Sequence, residues 1–184
     1  MVLLDIGAGE NPRGDINVDI RRLKGIDIIC QALRLPFKDA SFDKVYLGDV
    51  IEHFRYKDVV ILLREINQIL KHRGIIEIWT PNFQALSFLY VWLFGKQSLQ
   101  TNPPILWGTL NGLQDYEENV HLSHWTFKLL REYVMSAGFE IILAKSEGSW
   151  IGEIGNPLLN FIIRIGTMLF SNRKHSIHFI ALKP

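Results

Sequence analysis

Two glycines and an aspartate stand out near the start of the chain. In VLLDIGAGENPRGDINVDI, residues 2–20, Gly7 and Gly9 close one hydrophobic run and Asp19 ends the next. Glycines at a strand end let a ligand approach the backbone, and a carboxylate one strand further on can accept hydrogen bonds from both hydroxyls of a ribose. A tight turn alone would explain the glycines, and a surface carboxylate would explain Asp19. The combination favours a nucleoside, and the loop lacks the lysine and the serine or threonine of a P-loop.

Two histidines with nearby carboxylates form a second candidate group, in the segment NVHLSHW at residues 119–125. Because histidine changes charge near neutral pH, His121 and His124 are the candidate general bases of the chain. A hydrogen-bonded structural histidine is the alternative for each. Asp115, Glu117 and Glu118 precede them, which also suits a metal site, but a set of further ligands is not evident and we predict no metal.

Seven apolar segments of strand length alternate with two helical patterns, which predicts an α/β fold with a mostly parallel sheet and helices on both faces. One helix is expected after Asp58 as N-cap and another after Thr126, with Gly138 as its stop. Gly7 and Asp19 then fall at carboxyl ends of strands, where open parallel sheets bind ligands. The predicted strands are residues 2–6, 16–20, 26–30, 42–50, 74–80, 138–146 and 176–183.

The connection between the first two predicted strands is unusually short. Residues 7–15 are only nine residues, whereas a parallel crossover usually takes a dozen or more. The helix that should follow the glycine turn must therefore shrink to a turn or two.

Length and composition predict one domain, residues 1–184, without a nucleic-acid partner. The 20 basic and 19 acidic residues leave a formal charge of +1, whereas nucleic-acid binding needs a concentrated basic face. Cys30 is the only cysteine, which excludes an internal disulfide. The first residues do not read as a signal peptide, so a cytoplasmic location is expected.

Two apolar segments, at about residues 83–122 and 151–172, hold much of the 48% hydrophobic content. Helices that complete the core would explain both. The functional alternatives are a lid over an apolar substrate, or a face that contacts a membrane surface or a second copy of the chain in a homodimer.

Several stretches carry the motifs of a known family. LLDIGAG at residues 3–9, LRLPFKDASFDKVYLGDVIEHF at 33–54 and EINQILKHRGIIEIWTPN at 65–82 resemble class I S-adenosylmethionine-dependent methyltransferases. The closest group reads D-A-x-x-L-P-F-x-D-x-S-F-D, then E-H, then L-K-P-G-G, and residues 124–139 resemble its late helix and strand. The resemblance implies a Rossmann-like methyltransferase fold, S-adenosyl-L-methionine as cofactor, and transfer to a small methyl acceptor that is lipophilic or sugar-bearing.

The resemblance also implies which residues hold the cofactor. The methionine part would be lined by Asp5, Gly7, Ala8 and Gly9, and its end beyond the fourth strand by Gly48, Asp49 and His53. Asp19, followed by Ile20, would hold the ribose. The adenine would lie against Gln31, Ala32 and Leu33, where Gln31 replaces an acidic residue of the family and can still accept from the adenine amine.

Departures from the family keep other functions open. Family members carry one or two helices before the first strand, whereas this sequence begins at the strand, so the expected fold lacks the N-terminal cover helices. LKHRG at residues 70–74 replaces L-K-P-G-G and is interpreted as a structural turn. A degenerate methyltransferase fold that serves as a partner subunit is the main alternative. A nicotinamide-dependent oxidoreductase is disfavoured by the missing third glycine and the short crossover.

Overall fold

The computed structural model describes residues 1–85, 87, 120–147 and 176–184, which are built around one seven-stranded sheet. The strands are β1 Leu3–Ile6, β2 Ile16–Asp19, β3 Ile28–Ile29, β4 Phe42–Gly48, β5 Leu70–Pro81, β6 Glu140–Glu147 and β7 Ser176–Leu182.

The strand order is β3-β2-β1-β4-β5-β7-β6. Neighbours from β3 to β5 pair in parallel, and β7 runs antiparallel between β5 and β6. The chain reverses its direction of winding at β1, which has β2 on one side and β4 on the other. Such a switch point opens a crevice at the carboxyl ends of the strands. The predicted Rossmann-like, mostly parallel sheet is confirmed.

Two α-helices and one 3₁₀ helix lie wholly within the described residues: η1 Ile51–His53, α1 Tyr56–Ile69 and α2 Phe127–Ser136. Thr126 caps α2 as predicted, since its side chain accepts a hydrogen bond from Leu129 N at 3.3 Å. The predicted N-cap of α1 is wrong: the helix begins earlier, with Arg55 as N-cap. Asp58 lies in its first turn, where the positive end of the helix dipole favours a carboxylate.

Side chains that are in register on neighbouring strands form rows across the centre of the sheet, and one such row is apolar while the next is polar. Val18, Ile6, Leu47 and Ile78 are in register on neighbouring strands and belong to the same buried core as the apolar side of α1. Because side chains alternate along a strand, the row one residue earlier points to the other face. That row is Asn17, Asp5, Tyr46 and Glu77.

The segment LKHRG is not a separate turn before β5, as the sequence suggested, but part of the strand. β4 and β5 pair at Phe42 with Leu70 and again at Lys44 with Ile75, so residues 71–74 bulge out of the ladder. Arg73 takes a positive φ of 62° within this bulge. The pairing on both sides of the bulge makes the strand longer than the predicted 74–80.

Residues 7–15 contain turns and no helix, so even the shortened helix expected there is absent. The loop is held against β1 instead. Arg13 N donates to the Asp5 carboxylate at 2.9 Å, and Asp15 N donates to Leu3 O at 2.9 Å. Gly14 packs so closely that a β-carbon would lie 2.8 Å from Asp5 N. Because the loop residues are held against β1 by these contacts, they are not available to form a helix.

The two apolar segments of the sequence lie largely outside the described residues, and 151–172 does so entirely. Among the helices that the structure does describe, none has both the length and the apolar character needed to cross a membrane.

Candidate active site

A cleft of about 540 Å³ lies beyond the carboxyl ends of β1, β2 and β4. This volume suits a small-molecule or cofactor site. The predicted residues that line it are Gly7, Asp19, Ile20, Gln31, Ala32, Leu33, Asp49 and His53. Sequence positions from four separate connections therefore meet in one cavity.

Asp19 is the acidic centre of the cleft and is 5% exposed. Its Oδ2 accepts from Gly9 N at 2.9 Å, and its Oδ1 accepts from Arg21 N at 2.8 Å and Arg21 Nε at 3.2 Å. Burial raises the pKa of Asp19, but hydrogen bonds from the side chain and backbone of Arg21 outweigh it, so the pKa lies below its usual value. Asp19 is therefore a charged hydrogen-bond acceptor at neutral pH.

The glycine turn crosses from β1 towards β2. Gly7 N donates to Val18 O at 2.8 Å, and Gly7 has a φ of 69°. A β-carbon on Gly7 would lie 2.6 Å from a methyl carbon of Val50, so both its conformation and its surroundings require glycine. At Gly9 the positive φ of 57° is the constraint, because the nearest atom to an added β-carbon is 3.8 Å away.

Four residues predicted to contact the cofactor are not among those that line the cleft: Asp5, Ala8, Gly9 and Gly48. Asp5 is 2% exposed and holds the loop through Arg13 N. Burial raises its pKa, although the hydrogen bond and the charge of Arg13 oppose the rise. Gly9 acts on the cleft through its hydrogen bond to Asp19. Asp5 and Gly9 thus shape the loop that borders the site.

Asp49 and His53 close the cleft beyond β4. Asp49 has a positive φ of 53°, an unusual conformation for a residue with a side chain. Its side chain reaches solvent, yet desolvation by the surrounding protein raises the pKa of its carboxyl, and the charge of Arg13 partly opposes this. His53 Nδ1 donates to Val120 O at 3.2 Å. This bond ties η1 to the segment that precedes α2.

Glu52 is buried beside the cleft, and the sequence offered no role for it beyond the E-H motif. It is 2% exposed, and its Oε2 accepts from Thr80 Oγ1 at 3.0 Å. Its backbone oxygen accepts from Leu122 N at 2.7 Å and Ser123 N at 3.0 Å. Burial, and then the negative charge of Asp49, raise the pKa of Glu52 well above its usual value.

The two candidate bases, His121 and His124, have different ring contacts. The His121 ring lies 5.1 Å, between ring centres, from the ring of His53, which lines the cleft. The His124 ring lies 4.8 Å from that of Phe83, and its backbone is held by the hydroxyl of Tyr56. Both histidines border a small recess next to Glu52. His121 is thus in ring contact with a residue of the cleft wall.

About half of the residues in the cleft wall were not predicted from the sequence, and most of these are apolar. The unpredicted residues are Ile6, Val18, Arg21, Cys30, Val50, Phe54, Val120 and Leu122. Several directly precede or follow predicted residues, so adjacency to the motifs was a usable signal. Val120 and Leu122 flank the predicted His121, and hydrogen bonds to η1 bring them to the cleft from a distant part of the chain.

The sequence matches a known family over part of its length. Residues 4–78 match the family described as Methyltransferase domain. An uncharacterized protein of Methanocaldococcus jannaschii is 38% identical over 65 residues, which cover 35% of this chain and 28% of that protein. The chain thus spans less than a third of this curated relative.

Solved structures share the fold over nearly the whole chain. A SAM-dependent methyltransferase of Methanosarcina mazei has a TM-score of 0.62 at 17% identity, covering 98% of this chain and 91% of that one. The complex of the Haloferax volcanii Trm112 methyltransferase activator with a methyltransferase gives 0.62 at 13%, covering 99% and 81%. The 1,6-didemethyltoxoflavin-N1-methyltransferase of Burkholderia thailandensis, with bound 1,6-didemethyltoxoflavin and S-adenosylhomocysteine, gives 0.59 at 14%, covering 99% and 70%.

The sheet order, the cleft at its switch point and these matches define a Rossmann-like methyltransferase fold. The match over residues 4–78 and the shared fold support a class I S-adenosylmethionine-dependent methyltransferase, a family whose cofactor is S-adenosyl-L-methionine. The residues present suit that cofactor. Asp19 offers a charged acceptor for hydroxyls, Gln31 offers an amide, and the rest of the wall is largely apolar.

Proposed function

We propose that this protein transfers a methyl group from S-adenosyl-L-methionine to a small molecule that is lipophilic or sugar-bearing. The observation that carries the proposal is the cleft at the switch point, with Asp19 at the end of β2 and Gln31 after β3. In the proposed arrangement Asp19 holds the ribose, Gln31 contacts the adenine, and Asp49 and His53 border the methionine end. A cytoplasmic location, as expected from the sequence, is part of this proposal.

Methyl transfer depends mainly on how the protein positions the acceptor relative to the cofactor. When bound, S-adenosyl-L-methionine supplies an activated methyl group on a sulfonium, and its transfer is a one-step displacement. The protein's task is to align the acceptor and to exclude water, which well-oriented sites do efficiently. The apolar wall formed by Val50, Phe54 and Leu122 supports the exclusion of water from this cleft.

An acceptor that must lose a proton needs a base. The sequence predicted His121 and His124 for this role, and the contact between His121 and His53 supports His121. We therefore assign the acceptor to the side of the cleft bordered by His53 and Val120.

The first test measures binding of S-adenosylhomocysteine, the product of the cofactor, by calorimetry. We expect Asp19→Asn to weaken binding about ten- to a hundredfold, because hydrogen bonds to a charged acceptor contribute about 1.5–3 kcal/mol. Asp39→Asn is the matched control, since it makes the same change at an exposed turn. Unchanged affinity in Asp19→Asn would show that the ribose lies elsewhere.

A non-catalytic partner subunit is the second candidate, and one observation favours it. Four donors already surround the Asp19 carboxylate: Gly9 N, and the backbone N, Nε and Nη2 of Arg21, the last at 3.5 Å. A carboxylate offers about four acceptor positions, so a ribose must displace some of them. Absence of binding at millimolar S-adenosylhomocysteine would favour the partner subunit over the enzyme.

The chemical class of the methyl acceptor can be tested by following the transfer of a radioactive methyl group. Protein incubated with methyl-tritiated S-adenosylmethionine and a metabolite extract should place the label in small molecules that partition into organic solvent or carry sugars. Label found only in protein or nucleic acid would contradict the proposed acceptor.

A further inference from the structure

Three side chains that can bind metals converge beside the cleft: Glu52, His53 and His121. One potential ligand atom of each lies within 4.8 Å of the corresponding atoms of the other two. Glu52 and His53 belong to η1, whereas His121 comes from the segment before α2, almost seventy positions later in the numbering. Packing of that segment on η1 assembles the group, since Glu52 O accepts from Leu122 N and His53 Nδ1 donates to Val120 O.

Among these three residues, Glu52 carries a buried polar atom without a hydrogen-bond partner. The residue is 2% exposed, its Oε2 is bonded by Thr80, and its Oε1 makes no hydrogen bond among the described residues. A buried oxygen without a partner costs free energy, so native structures rarely leave one. Glu52 and His121 both border the small recess next to the cleft. A bound cation is one partner that would satisfy this oxygen.

The His53 ring is oriented by a hydrogen bond from one of its two nitrogens to the backbone. A carbonyl oxygen only accepts, so the 3.2 Å contact with Val120 O places the ring proton on Nδ1. The neutral ring then carries its lone pair on Nε2. Metal-binding histidines commonly donate their second nitrogen to a backbone carbonyl in this way, which orients the ring and increases the basicity of the ligand atom.

We propose that Glu52, His53 and His121 bind a divalent transition-metal ion, of which Zn²⁺ fits the ligands best. Two histidines and one glutamate are a ligand set of catalytic zinc sites, which keep a fourth position for water or substrate. Ligand atoms of a tetrahedral zinc ion lie roughly 3.4 Å apart, so small shifts of side chains whose ligand atoms now lie within 4.8 Å of one another would form the site. His121 lies outside helices and strands, which permits this adjustment.

The position of the ion gives it a role towards the acceptor. His53 belongs both to this group and to the wall of the cleft, so the ion would lie at the edge of the cavity. Its fourth position could receive an oxygen or nitrogen atom of the acceptor. In that case His121 acts as a ligand and no longer as a base.

The test uses the full chain, freed of metal by dialysis against a chelator. Co²⁺, a spectroscopic substitute for Zn²⁺, is titrated in, and its visible absorption and displacement by Zn²⁺ are recorded. We expect one ion per chain, with affinity lowered at least about tenfold in Glu52→Gln and His121→Ala. His72→Ala is the control, because His72 is an exposed histidine in the β5 bulge and should bind metal like the unmodified protein.

Three results would overturn the proposal: no binding at excess metal, unchanged affinity in both ligand variants, or an equal loss in His72→Ala. Thermal unfolding of each variant separates loss of a ligand from loss of the fold. His121→Ala, which changes no helix or strand, should unfold like the unmodified protein without metal. Because the readout is metal binding alone, a protein that fails to bind S-adenosylhomocysteine can still pass this test.

Discussion

At the scale of single residues, the hydrogen bonds between Arg21 and Asp19 control access of a ligand to the carboxylate in the cleft. Asp19 has the position and the charge to hold a ribose, but the Arg21 side chain covers it with bonds to both carboxylate oxygens. Arg21 also lines the cleft itself. The arginine therefore protects the carboxylate in the unbound protein and competes with a ligand for it.

Removing this competitor should strengthen cofactor binding. We expect Arg21→Ala to tighten S-adenosylhomocysteine binding by up to about tenfold, since a hydrogen bond to a charged group must otherwise be broken. Calorimetry on the variant measures the change.

Arg22→Ala is the control for Arg21→Ala, because Arg22 is the exposed neighbour and should leave affinity unaltered. Weaker binding in Arg21→Ala would mean instead that the arginine contacts the ligand directly.

At the scale of elements, a charged network joins β4, β5 and β7. Glu77 on β5 pairs with Lys44 on β4, and His178 Nε2 on β7 lies 2.8 Å from Glu77 Oε1. Trp79 donates to the same oxygen at 3.0 Å and stacks on His178 with ring centres 4.0 Å apart. Burial raises the pKa of Glu77, but hydrogen bonds from Lys44 and Trp79 outweigh it and lower the pKa below the usual 4.5.

Because the pKa is lowered in the folded state, the Glu77 charge stabilises the protein above pH 4.5, and this stabilisation is lost as pH falls through the folded-state pKa. We expect Glu77→Gln to lower the free energy of unfolding by about 1–2 kcal/mol at pH 7. Its difference from the unmodified protein should shrink below pH 4.5. Urea unfolding at several pH values measures both effects.

Glu140→Gln, an exposed position on β6, is the control for Glu77→Gln and should change little at any pH. A loss of stability in Glu77→Gln that stays constant across the pH range would assign the effect to packing.

At the scale of the whole molecule, the strand order decides what meets at the cleft. Placing β1 between β2 and β4 brings together residues at the ends of β1, β2, β3 and β4, with Asp19, Gln31 and Asp49 among them. A ligand that binds there contacts most of the parallel half of the sheet. Ligand binding should therefore raise the free energy of unfolding of the whole domain.

S-adenosylhomocysteine at a hundred times its Kd should raise the free energy of unfolding by about 2.7 kcal/mol. For a chain of this length that corresponds to a rise in Tm of roughly 5–10 °C. Thermal unfolding with and without ligand measures it. NADH is the comparison ligand and should have no such effect, whereas protection by NADH alone would indicate a nicotinamide-dependent enzyme.

The sequence by itself determined the features that depend on neighbours along the chain. The apolar runs determine where the strands lie, because the alternation of side chains is a local property. The Thr126 hydroxyl caps the helix that follows it. The residues from Gly7 to Asp19 span one short crossover between neighbouring strands. The family motifs identified the fold and the cofactor because they lie in these local segments.

Only the tertiary structure decided which distant groups meet. It placed Arg21 on Asp19, turned residues 71–74 into a bulge, and left the loop at 7–15 without a helix. It also brought His121 to Glu52 and His53. The periodicity of a sequence reports which face of an element is buried, but the partner across that face depends on how the elements pack. For this reason much of the cleft wall was predictable, whereas the meeting of Glu52, His53 and His121 beside it was not.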